Sequence, residues 1–159
     1  MSDYKIALVT GASAGFGLEI AKVLASNGFK VIAAARRLDK LEELKALYPS
    51  LILPLKLDVT DKAAVVKALD SLPFEFKDID VLINNAGLAL GVERAQNCDL
   101  NEWNVMVDTN IKGLLNVTYK VLPSMIKRNF GYVINLGSTA GAWPYTGSNV
   151  YGATKAFVE

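Results

Sequence analysis

The chain has 159 residues, a length suited to one domain, and is 52% hydrophobic against 21% charged, which leaves ample apolar content for a core. Its net charge of +1 offers no electrostatic basis for a nucleic-acid or membrane-surface partner. Histidine is absent and Cys98 is the single cysteine, so His-based triads, His metal sites and an internal disulfide are excluded, and the cysteine usage fits a reducing compartment.

Met1-Ser2-Asp3-Tyr4-Lys5 leads almost directly into a strand-like run, without the basic start or cleavage site of a signal peptide. No apolar run approaches the roughly 18 residues of a membrane-spanning helix, so the expected location is the cytoplasm. Ile6-Ala7-Leu8-Val9 reads as a buried strand, followed by glycines and an amphipathic stretch from Leu18 to Ser26. Val31–Ala35 is a second strand, and Asp39 with Glu42 three residues on opens a second helix in the manner of a capping box. Leu51–Leu57 is a third strand, with Thr60 able to cap the helix through Leu69. Asp80–Asn84 is a fourth strand, and Asp99 with Glu102 precedes a long helical region from Leu100 to Lys127, in which Pro123 predicts a kink or break. Tyr132–Leu136 is a fifth strand, and Asn149–Glu159 begins another helix.

Short apolar strands alternating with helices predict an α/β fold, a parallel doubly wound sheet of Rossmann-like, three-layer form. Right-handed crossovers would put helices on both faces and leave the fifth strand as an uncovered edge. No repeat, linker or low-complexity tract marks a domain boundary, so residues 1–159 are expected to form one nucleotide-binding domain.

Thr10-Gly11-Ala12-Ser13-Ala14-Gly15-Phe16-Gly17 lies between the first strand and the first helix. Glycines there allow backbone N–H groups to approach a pyrophosphate, and a helix N-terminus adds partial positive charge. Gly11, Gly15 and Gly17, with Ser13 and Phe16 among them, are therefore cofactor-binding candidates; the rival reading is a tight turn that needs glycine for backbone reasons alone. The spacing is G-x-x-x-G-x-G rather than G-x-G-x-x-G. After the second strand, where an NAD-binding fold places an acid, stand Arg36 and Arg37, and no acid follows until Asp39. Two guanidiniums suit the extra phosphate of NADP(H), which is favoured over NAD, although both could be ordinary solvated loop charges.

Near the end of the chain, Tyr151 and Lys155 are four apart and share one face of a helix. An ammonium near a phenol favours the phenolate, which suits the Tyr to general acid/base work. Together with the glycine turn, Asp58-Val59 after the third strand, Asn84-Asn85-Ala86-Gly87 after the fourth, Ser138 after the fifth and Tyr151-x-x-x-Lys155, the chain resembles the short-chain dehydrogenase/reductase family over its whole length. The resemblance implies that Gly11, Gly15 and Gly17 line the pyrophosphate, that Asp58 and Val59 contact adenine, and that Asn84, Ala86 and Gly87 support the sheet and the adenine ribose. It implies that Tyr151 is the proton donor in reduction and the acceptor in oxidation. Lys155 would assist it and hold the nicotinamide ribose, Ser138 would orient the substrate oxygen, and Asn110 would hold a water for proton relay.

Each role has a plainer rival: Asn110 a helix-surface residue, Ser138 the end of a strand, Asp58 a helix cap, Asn84-Asn85 a loop start. Trp143, Pro144 and Tyr145 either border the substrate or pack, and Cys98 is read as incidental. Gly137–Tyr145, Asn149–Val158 and Asn85–Gly91 further resemble the NADP-dependent 3-hydroxy acid dehydrogenases, including the serine and allo-threonine dehydrogenases. That implies a small hydroxy acid or the matching 3-oxo compound as substrate and a homo-oligomer, tetramer or dimer, contacting through the long helix and the Tyr151 helix. Extended sugar-nucleotide epimerases share Y-x-x-x-K, but their G-x-x-G-x-x-G spacing is not matched here. Family members are longer, so the chain is expected to be their N-terminal portion, without the last strands, the Pro-Gly turn that meets the carboxamide, and the substrate loop. The rival function is a catalytically incomplete nucleotide-binding fragment or interaction module.

Overall fold

The computed structural model describes residues 5–91, 93–143 and 145–159, so the N-terminal stretch Met1–Tyr4 and Pro144 of the loop after Ser138 lie outside the described residues. Five strands, β1 (Ile6–Thr10), β2 (Lys30–Ala35), β3 (Ile52–Lys56), β4 (Val81–Asn84) and β5 (Tyr132–Asn135), form one sheet in the order β3-β2-β1-β4-β5. All four pairings are parallel. The chain works outward from β1 to β3, then returns to lay β4 on the other side of β1. That reversal opens a crevice at the carboxyl ends of β1 and β4, where such sheets bind ligands.

Helices cover both faces. Period-two alternation sends Ala7, Val9, Val31, Ala33 and Ile83 to one face, where they pack with Ala21 and Ala25 of α1 (Gly15–Ser26) and Leu41 and Leu44 of α2 (Leu38–Leu47). Leu8, Ile32, Ala34 and Leu82 point the other way, onto Val65 and Leu69 of α3 (Lys62–Asp70) and Val117, Val121 and Met125 of α5 (Leu114–Arg128). Strands buried on both faces explain the continuous apolar runs in the sequence. At the amino-terminal end of the sheet, Asp80 Oδ2 accepts from the backbone N–H groups of Lys5 and Ile6, and its Oδ1 accepts from Arg128. Pro54 is tolerated because β3 is an edge strand. The opposite edge is β5, as expected, and its Tyr132 and Ile134 are exposed.

Three expectations are corrected. Helix α5 runs through Pro123 without a break. Proline removes the N–H that would reach the Tyr119 carbonyl, and Tyr119 is 79% exposed, so that carbonyl lies on the water-facing side. The irregularity falls earlier: α4 (Leu100–Val107) passes into a π-helical turn over Asp108–Gly113 before α5 begins. Asp39 does not cap α2; Arg37 occupies the N-cap without a side-chain bond, and Asp39 sits in the first turn. Thr60 does not cap α3 either, because Asp61 does so by accepting from the Ala64 N–H at 2.9 Å. Asp99 caps α4 as expected, accepting from Asn101. Two helices follow β5: the short α6 (Thr139–Ala142) and α7 (Asn149–Val158).

Candidate active site

A cleft of about 990 Å³ lies at the carboxyl ends of the strands, at the upper end of the range of about 300–1,000 Å³ for small-molecule and cofactor sites. Its floor is the turn from β1 into α1. The first helical residue of α1 is Gly15, and its N-cap, Ala14, has no side-chain capping bond, so first-turn N–H groups stay free for an anion. The turn is held by its neighbour. Asn85 Nδ2 donates to the carbonyls of Thr10 (2.8 Å) and Gly11 (3.3 Å), and Thr10 Oγ1 accepts from the N–H groups of Asn85 and Ala86. A Cβ on Gly11, whose φ is +68°, would stand 2.8 Å from Asn85 Nδ2, and one on Gly17 only 2.3 Å from it and 2.5 Å from the Gly11 carbonyl. Glycine at 17 is therefore a packing requirement and glycine at 11 both a packing and a conformational one. This cradle fits a pyrophosphate bound through backbone N–H groups.

Arg36 and Arg37 lie at the mouth of the cleft, where Arg37 donates from Nε (3.3 Å) and Nη2 (3.0 Å) to Ser13 Oγ. The half-buried Ser13 hydroxyl is thus held by the Arg37 guanidinium, and the exposed Arg36 lines the same cleft, a donor set that suits a phosphate monoester. Phe16, 80% exposed, lines the same cleft. Asp58 and Val59 line it too; Asp58 Oδ1 accepts from the N–H and hydroxyl of Thr60, so that carboxylate is fixed by its own turn.

The opposite wall carries the Tyr–Lys pair. Tyr151 and Lys155 rise from α7, and Ser138 ends the segment after β5; all three line the cleft with Ala86 and Gly87. Ser138 caps α6 by accepting from the Ala140 N–H at 3.2 Å, which fixes the hydroxyl oxygen and leaves its proton for a substrate oxygen. Helices α6 and α7 approach closely because glycines face each helix: a Cβ on Gly141 would stand 2.8 Å from the Ala156 nitrogen, and one on Gly152 2.9 Å from the Ala140 carbonyl. Lys155 is 8% exposed and donates to the Leu136 carbonyl at 2.8 Å, which fixes a buried ammonium beside Gly87.

Asn110 is buried in the π-helical turn, not on a helix surface. Its Oδ1 accepts from the Leu88 N–H, and its Nδ2 donates to the Leu88 carbonyl and to Thr154 Oγ1, all at 2.9–3.0 Å. The side chain is therefore spent on tying the segment after β4 to α7, and it does not line the cleft. Asn84 also sits apart from the cleft: it is buried and donates to Thr118 Oγ1 and Asn135 Oδ1, which joins β4 to β5 and α5. Trp143 and Tyr145 are 75% and 52% exposed and line neither core nor cleft. Sequence reasoning missed Thr10, Asn85 and Thr154 as supports of the site. Each had a faint signal: Thr10 is a polar residue closing an apolar strand, and Asn85 and Thr154 are inner members of motifs already singled out.

Comparison with known proteins gives a single direction. The family described as short chain dehydrogenase matches residues 5–159. The chain is 55% identical over 154 residues to the NADP-dependent 3-hydroxy acid dehydrogenase YdfG of Salmonella typhi, covering 97% of this chain and 62% of that protein. It is 52% identical over 152 residues to the serine 3-dehydrogenase of Rhizobium radiobacter, covering 96% and 61% respectively. A solved structure described as the closed form of serine dehydrogenase complexed with NADP+ superposes with a TM-score of 0.95 at 54% identity, over 96% of this chain and 62% of that one. The chain spans about three fifths of the length of the curated relatives it matches.

Proposed function

The chain belongs to the short-chain dehydrogenase family, and from that premise we propose that the protein is an NADP-dependent oxidoreductase interconverting a hydroxyl and a carbonyl. Its substrates are small 3-hydroxy acids of the serine, allo-threonine or 3-hydroxypropionate type, or the matching 3-oxo compounds. The single observation that carries the reading is one cleft lined at one end by the glycine turn with Ser13, Arg36 and Arg37, and at the other by Ser138, Tyr151 and Lys155. The relatives' printed activities and the NADP+ complex of the serine dehydrogenase favour this cofactor and this substrate class. Residues 1–159 act as one nucleotide-binding unit, and the reading places the protein in the cytoplasm.

NADP(H), when bound, supplies or accepts the hydride. The chain's own residues do the rest. Free N–H groups at the start of α1 hold the pyrophosphate, with Gly11 and Gly17 leaving the room it needs. Arg36, Arg37 and Ser13 take the 2′-phosphate, and Asp58, Val59, Ala86 and Gly87 border the adenosine end. In reduction, Ser138 Oγ donates a hydrogen bond to the carbonyl oxygen, Tyr151 delivers the proton to it, and the Lys155 ammonium stabilises the phenolate left behind. In oxidation the same groups run in reverse.

An absorbance assay tests the reading on the protein as its whole gene encodes it, with a 3-oxo acid and NADPH or NADH. Turnover with NADPH and far less with NADH is expected; NADPH binding without turnover would leave only the non-catalytic module. A homo-oligomer is part of the proposal. Leu115, Tyr119, Leu122 and Ile126 form an exposed apolar stripe along α5, of a kind that a second copy would cover. Light scattering is expected to give a dimer or tetramer, and a monomer would remove that element.

A further inference from the structure

Helix α7 starts in an unusual way. Its first residue, Asn149, has φ +35°, in the left-handed region, and its N-cap, Ser148, makes no capping bond; Ser148 Oγ is buried without a partner among the described residues. The other positive-φ non-glycine among the described residues is Asn129, which closes α5 as an ordinary left-handed C-cap. Asn149 begins a helix instead, where such a conformation persists only if its surroundings impose it. Its side chain supplies the constraint. Nδ2 donates to the Glu93 carbonyl at 2.9 Å and to Cys98 Sγ at 3.3 Å, across 56 and 51 residues. The Cys98 thiol in turn lies 3.5–3.6 Å from the carbonyls of Gly91, Glu93 and Arg94, so it is a hub of this segment rather than an incidental residue.

The segment after β4 is thus tied to α7 at two points. Asn110 holds its beginning, at Leu88, and reaches Thr154. Asn149 holds its far end, at Glu93 and Cys98. Tyr151 lies between the two ties, and its carbonyl accepts from Thr154 Oγ1 at 2.7 Å. Below Tyr151 the helix is anchored by Thr154 and Lys155; above it, among the side-chain bonds of the described residues, the Asn149 bridge alone anchors the first turn, whose cap is idle.

We propose that Asn149 is a positioning residue that sets the placement of Tyr151 in the cleft through its bridge to Glu93 and Cys98. Without the bridge the uncapped first turn frays, and Tyr151 spends less time aligned with the reacting oxygen. The inference rests on the reading of Tyr151 as the proton donor. The glycine turn, Ser13, Arg36 and Arg37, to which most of the cofactor contacts are assigned, lie at the other end of the cleft and do not use this bridge, so proton delivery is affected far more than NADPH binding.

The test compares Asn149→Gly and Asn149→Asp with the parent protein, expressed as its whole gene encodes it. Glycine tolerates the left-handed conformation but removes the bridge, and aspartate keeps the shape but cannot donate. Both are expected to lower kcat by about tenfold, well inside the roughly hundredfold cost of a 1 Å misplacement. KM for the oxo acid and NADPH affinity by fluorescence titration should stay within about twofold. Cys98→Ala, which removes one acceptor from the other side, is expected to lower kcat by about threefold in the same pattern, and decides the matter if the Asn149 variants do not fold. A parental kcat in Asn149→Gly, or in Cys98→Ala where that variant decides, overturns the inference. So does a drop in kcat matched by an equal loss of NADPH affinity, since that marks general disruption of the cleft. If the parent protein itself binds NADPH without turnover, it is the reading of Tyr151 that fails.

Discussion

The two ends of the cleft are built on different principles. At the glycine turn the chain offers backbone: free N–H groups at a helix start, and glycines at positions where a Cβ would strike Asn85 or the Gly11 carbonyl. At the α7 end it offers side chains: Lys155 is held by the Leu136 carbonyl and Thr154 by the Asn110 side chain, while Ser138 is held by the N–H of its own helix start. A backbone site needs few residue types in a short stretch. A side-chain site needs supports drawn from the segments after β4 and β5 and from the π-helical turn. The first takes its distant support from one place, Asn85 and Ala86 after β4, whereas the second takes it from several segments.

This contrast can be tested by disabling one end at a time. Tyr151→Phe removes the proposed proton donor and keeps the ring, so kcat is expected to fall by about 10²–10⁴-fold while NADPH binding is retained. Stopped-assay rates with fluorescence titration separate the two, and a variant that keeps most of its turnover would remove Tyr151 from the chemistry. At the other end, Arg36→Ala with Arg37→Ala should weaken NADPH by about ten- to a hundredfold, a net loss of about 1.5–3 kcal/mol for the pair at this solvent-exposed position, and leave NADH nearly unchanged. Equal losses for both cofactors would show that the arginines do not read the extra phosphate. Gly17→Ala forces a methyl against backbone, so denaturant unfolding is expected to report a loss of about 1–3 kcal/mol, with weaker binding of both cofactors alike. An alanine variant as stable as the parent would mean that the turn can move aside.

Much of the fold was legible because its signals are local. The apolar runs at Ile6–Val9, Val31–Ala35 and Asp80–Asn84 fall on observed strands, since strands buried on both faces must be apolar throughout. Helix starts were less legible. Asp39 and Thr60 had suitable side chains, yet Arg37 and Asp61 occupy the N-caps, because the cap falls where the chain leaves its extended path and not wherever an acceptor occurs. Pro123 was a misleading break signal for a related reason: the carbonyl that proline frees belongs to Tyr119, an exposed residue, so water can satisfy it and the cost is borne without a break.

The sequence by itself determined the alternation of strands and helices, the glycine turn and the Tyr151–Lys155 pair, because each rests on residue type and short spacing, and the family resemblance added Ser138 to that pair. Only the tertiary structure decided what Asn110, Asn85 and Asn149 do. An asparagine carries both donor and acceptor on a short stem, so its role is set by whichever groups the fold brings within about 3 Å. Here those partners lie 22 to 75 residues away, beyond the reach of any pattern along the chain.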